Sequence, residues 1–85
     1  LVTPYYEYDD IRLFLSGIDE EDLVWHRDKE NRKIEVLEGN KWQLQFDDSL
    51  PFELCVGDVV TIDKLKYHRL IKGKDDLRIR IKYAN

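Results

Sequence analysis

The sequence predicts an all-β domain, a small antiparallel β-barrel or jelly roll, and three observations carry that prediction. Apolar and polar residues alternate strictly in several short stretches, turn-forming clusters separate those stretches at near-regular spacing, and helical periodicity is weak throughout. At 85 residues the chain suffices for one hydrophobic core and is too short for two, so residues 1–85 read as a single domain.

The first alternating stretch is IRLFLSG, with Ile11, Leu13 and Leu15 on one parity. Successive side chains of a strand point to opposite faces, so this parity is expected to face the core. An acidic turn around Asp19–Asp22 is the best helical candidate, and it is short. In KWQLQFD, Trp42, Leu44 and Phe46 oppose Lys41, Gln43 and Gln45; in DLRIRIKY, Leu77, Ile79, Ile81 and Tyr83 oppose Arg78, Arg80 and Lys82. The intervening turns are EGN at 38–40, DDSLP at 47–51, GD at 57–58 and KGKDD at 72–76, all rich in residues that favour turns.

Composition narrows the function. Hydrophobic residues make up 42% and charged residues 38%, with a net charge of −4, the profile of a soluble globular chain. Nucleic acid is an unfavoured partner, because phosphate binding rests on clustered Lys and Arg, and here Asp63, Asp75 and Asp76 dilute the basic groups. No apolar run approaches a membrane span. The lone Cys55 has no partner for an internal disulfide, which points to the reducing cytoplasm. Methionine is absent, position 1 included, which suggests a processed or trimmed start.

The stretch WHRDKENRKIEVLEG, residues 25–39, followed by LCVGDVVTIDKLKYHRLIKG, resembles the two motifs of the cupin superfamily. The resemblance covers residues 22–83, nearly the whole chain. It implies a small cupin-type barrel, often dimeric, with metal ligands from both motifs. His26 stands at the first ligand position and His68 at the last. Asp28 replaces the second histidine, Arg32 replaces the usual glutamate, and Asp63 replaces a proline.

His26 and Asp28 share a parity with Val24, while Trp25 and Arg27 face the other way. If their side is the interior, His26, Asp28 and His68 form a two-histidine, one-carboxylate set suited to Fe, Mn, Zn or Ni. Arg32 shares a parity with Ile34 and Val36; its guanidinium would repel such an ion and pair with Asp28 in a bidentate bridge. Two expectations follow for the pocket of His26, Asp28, Arg32 and His68. It either binds a small, possibly anionic, molecule without metal, or it holds a divalent metal and serves an enzyme acting on a small organic or sugar-derived substrate. A third reading is a protein-interaction module using an outer sheet face. Iron and 2-oxoglutarate oxygenases share the H-x-D motif and a later Arg, here Arg78, but Arg78 lies on the solvent parity. Trp25, Trp42, Phe46, Phe52 and Tyr67 are candidates for cavity lining, core or edge packing. A homodimer is the expected assembly.

Overall fold

The computed structural model describes residues 3–84 and is built from strands. They are β1 (Tyr6–Tyr8), β2 (Ile11–Phe14), β3 (Asn31–Glu38), β4 (Gln43–Phe46), β5 (Phe52–Glu53), β6 (Val59–Ile62), β7 (His68–Ile71) and β8 (Leu77–Ala84). The acidic turn forms a single 3-10 turn at Glu20–Asp22, capped by the Asp19 side chain. Among the described residues no helix is long and apolar enough to cross a membrane.

The strands form two antiparallel sheets, one ordered β1-β2-β8-β3-β6 and the other β5-β4-β7. Among the described residues no ladder joins them, so the expected barrel is not closed and the fold is an open two-layer arrangement. Between the layers sits the core: Ile34, Val36, Ile62, Leu77, Ile79 and Ile81 from the first sheet meet Trp42, Leu44 and Leu54 on the second side. Alternation places these residues correctly in β4 and β8.

In β2 the expected parity holds only at Ile11, which is buried. Phe14 is buried in the core, Leu13 is half-buried and Leu15 is exposed. The reason lies in the neighbour: β1 pairs Tyr6 with Leu13 and Tyr8 with Ile11, giving Ile11 and Leu13 cover on the outer face. Arg12 and Phe14 then turn inward, where both line the interior cavity. Tyr83 also departs from the expected core parity, since it lies 57% exposed near the end of β8.

One end of the layers is sealed by the turn at residues 72–76. Asp75 receives the Asn40 backbone N–H at 2.7 Å through its side chain and the Trp42 indole N–H at 2.6 Å through its carbonyl. Gly73 is packed so closely that an added Cβ would lie 2.5 Å from the Trp42 backbone nitrogen, so only glycine fits without displacing main chain.

Candidate functional site

The opposite part of the interior is a cavity of about 260 Å³, small beside typical ligand pockets of roughly 300–1,000 Å³. Its walls are largely apolar, with Phe14, Ile34, Leu44, Ile62, Leu70, Ile79 and Ile81 among them. The polar wall consists of His26, Asp28, Arg32 and His68, the four residues expected there, together with Arg12 and Asp22.

Backbone pairing brings the histidines together. His26 and His68 face each other in an isolated antiparallel bridge, each donating its backbone N–H to the other's carbonyl, at 3.0 and 2.9 Å. Their rings meet edge to face with centroids 4.4 Å apart. The segment holding His26 and Asp28 is otherwise not a regular strand; Asp28 is tied down by its carbonyl, which accepts from Leu65 N–H at 2.7 Å. His68 is buried, whereas His26 is exposed.

Each imidazole is oriented by a main-chain carbonyl two residues away. His68 Nδ1 lies 2.7 Å from Lys66 O and His26 Nδ1 lies 3.0 Å from Val24 O. A carbonyl oxygen only accepts, so Nδ1 carries the hydrogen and, in a neutral ring, Nε2 is left as a lone-pair donor. Burial pushes the His68 pKa below its ordinary value of 6.5, against the opposing effect of the Lys66 carbonyl. His68 is therefore neutral at pH 7. Its Nε2 stands 3.4 Å from Asp28 Oδ2, and that contact is a meeting of two electron-pair donors, not an ion pair. Asp28 Oδ2 is buried and has no hydrogen-bond partner among the described residues, which marks an unmet need for a cation or a proton.

Arg32 does approach Asp28, as its parity suggests, but not as a bidentate fork. Its Nη2 lies 3.4 Å from Asp28 Oδ1 and 3.6 Å from Glu30 Oε1, beyond the roughly 2.7–2.9 Å of a charge-assisted hydrogen bond. Its Nε has no hydrogen-bond partner among the described residues, and the guanidinium lies over the Tyr83 ring at 5.2 Å. The cation is thus shared, and Asp28 keeps one oxygen free.

His26, Asp28 and His68 each bring one ligand atom within 4.8 Å of the others. An ion about 2.1 Å from two ligands in tetrahedral geometry separates them by about 3.4 Å, which is the His68–Asp28 spacing. An ion in that gap needs less room than a water molecule, so the burial of Asp28 Oδ2 does not oppose it. The donor set, two imidazole nitrogens and a carboxylate oxygen, fits a divalent transition metal, which His26, Asp28 and His68 would hold.

None of the five aromatic candidates lines the cavity, and Trp42 takes the expected alternative of core packing. Phe46 lies tilted against Phe52 and edge-on to His68, and Trp25, Phe52 and Tyr67 are exposed. Arg12 and Asp22 are charged cavity residues missed in the sequence; for Arg12, its parity with Phe14 was the available signal. Its guanidinium pairs with Glu7 at 2.7 Å and lies over Tyr5 at 4.3 Å.

No protein-family model matches the chain, and no curated protein matches it either. Among solved structures, the crystal structure of protein NMB1881 from Neisseria meningitidis aligns with a TM-score of 0.57. It covers 94% of this chain and 80% of that one, at 15% sequence identity. A likeness at that identity concerns the fold alone.

Proposed function

We propose that this chain is a small cupin-like binding module whose cavity holds a divalent cation at His26, Asp28 and His68, with room beside it for one small molecule. The observation that carries the reading is the orientation of the donors: two carbonyl-anchored imidazoles and an unsatisfied carboxylate oxygen converge, as ligands held by an outer shell of hydrogen bonds do. When bound, the ion would supply Lewis acidity, which is what a metal-dependent cupin enzyme acting on a small organic or sugar-derived substrate would use. Arg12 and Arg32 on the same cavity wall favour a second reading, a metal-free pocket for a small anion. A cytoplasmic setting is supported by the exposed free thiol of Cys55, and a homodimer by the exposed Tyr6 and Tyr8 on the edge strand β1.

The test is metal analysis of untagged protein with thermal melts in Fe, Mn, Zn and Ni. One ion per chain is expected. Free metal at about a hundred times Kd stabilises by about 2.7 kcal/mol, a rise of roughly 10–20 °C for a domain this size. His68→Ala should abolish it. No bound metal and no shift, with stabilisation by small carboxylates alone, would replace the first reading with the second.

A further inference from the structure

The bridge between His26 and His68 also orders the outside of the second sheet. With those two residues opposite and facing inward, antiparallel register sets Trp25 opposite Arg69 and Arg27 opposite Tyr67, all facing outward. The Arg69 guanidinium lies 4.8 Å from the Trp25 ring centroid and that of Arg27 lies 5.0 Å from the Tyr67 ring. Trp25 and Tyr67 are still 42% and 41% exposed. Arg69 is further held by Gln45 Oε1 on β4, which accepts its Nε–H at 3.0 Å.

Two features of this face bear on what it can bind. Arg12, Arg32, Arg78 and Arg80 each pair with at least one carboxylate. Arg27 and Arg69 pair with none among the described residues, although the chain carries a net charge of −4. The face also ends at an open edge. The His26 main chain is fully used by His68, so the amides and carbonyls of Trp25 and Arg27 point away from β7. They have no backbone partner among the described residues.

We propose that this face and its edge bind an extended acidic peptide of a partner protein. The peptide adds as a strand beside Trp25–Arg27, its main chain taking up the free edge groups. Two of its carboxylates meet Arg27 and Arg69, whose guanidiniums are already fixed on aromatic rings and lose little freedom on binding. The charge arithmetic favours a short acidic segment over a nucleic acid. Only two cations are available, and the Asp47 backbone is bonded to the Tyr67 carbonyl, which sets an acid beside them that a long polyanion would have to pass.

The probe is a synthetic, end-blocked peptide of alternating glutamate and threonine, with a glutamine-for-glutamate control. Trp25 reports binding, because Trp42 is fully buried and inaccessible to acrylamide. The acidic peptide should shift the exposed tryptophan emission to the blue and protect it from quenching, more weakly as salt rises. Affinity should fall at least about tenfold for the glutamine peptide and for R27E or R69E, with R27Q and R69Q weaker in effect and all variants melting near the parent. The proposal is overturned by no binding, by equal binding of the glutamine peptide, or by affinity insensitive to either charge reversal. It is equally overturned by tighter binding of a single-stranded oligonucleotide, or by occupation of the face by a second copy that the peptide does not displace.

Discussion

Replacing Arg32 with methionine removes a charge while keeping an unbranched stem of similar length, and its effect on metal affinity can be worked from the geometry. Arg32 Nη2 is 3.4 Å from Asp28 Oδ1; an ion on the other carboxylate oxygen lies about 6 Å from the guanidinium. Repulsion between two positive charges on the ion and one on Arg32 is then about 1.4 kcal/mol in a water-like medium and about 5.5 kcal/mol at an effective dielectric of 20. For a cavity partly open to solvent an intermediate value of about 3 kcal/mol applies. Against this stands the loss of a group that orients Asp28, and such losses cost about 10–100-fold in affinity, or roughly 1.4–2.7 kcal/mol. The long contact, shared with Glu30, puts that loss at the lower end. Arg32→Met should therefore tighten divalent binding about tenfold, while lowering metal-free stability by about 2 kcal/mol because Asp28 loses its cation. Chelator-competition titration of parent and variant measures the first effect and urea unfolding the second. Weaker metal binding by the variant, with His68→Ala still inactive, would refute the reasoning: Arg32 would then serve the ion by holding Asp28, not oppose it.

Metal-free protein should lose stability as pH falls below about 6.5, because the unfolded chain takes up a proton on His68 before the folded chain does, and the unfolded state then binds more protons. The contribution is complete above the ordinary pKa of 6.5 and is lost as pH falls through the lower folded value. Urea midpoints followed from about pH 7 to 5 should show this slope and His68→Gln should flatten it; an unchanged slope in the variant would assign it to other groups. The register of β2 has its own test: Phe14→Ala should cost about 3–5 kcal/mol and Leu13→Ala less than half as much, measured by thermal or urea unfolding, and equal costs would contradict the inward placement of Phe14.

Strict alternation made β4 and β8 legible, because one parity is polar at Gln43 and Gln45 in β4 and at Arg78, Arg80 and Lys82 in β8, so only the other can be buried. It did not decide β2, where both parities carry apolar side chains and one residue of each, Ile11 and Phe14, is buried; Phe14 joins the core cluster, while β1 sets its tyrosines opposite Ile11 and Leu13 on the outer face. No local pattern encodes that pairing. For the site, parity placed His26, Asp28 and Arg32 on one side, and the likeness of the two motifs pointed to His68 as their companion. The direction in which each imidazole presents its lone pair was not legible. It depends on the carbonyls of Val24 and Lys66, and every residue has a carbonyl. The sharing of Arg32 between Asp28 and Glu30 was hidden for a similar reason, since side-chain reach in a loop has no fixed period.

The pairing of His26 with His68 sets an unusual limit on how this segment can vary. Inside and outside here differ by a single step along the chain: His26 and Asp28 serve the cavity, Trp25 and Arg27 the outer face. Inserting or deleting one residue between Leu23 and His26 would slide the ladder by one position and exchange the two sets. The indole and guanidinium would be driven into an apolar space of about 260 Å³, and the imidazole and carboxylate would be turned to solvent. Substitutions can retune either face separately, but a change in length alters both at once, so variation in chain length must be absorbed beyond the segment's ends.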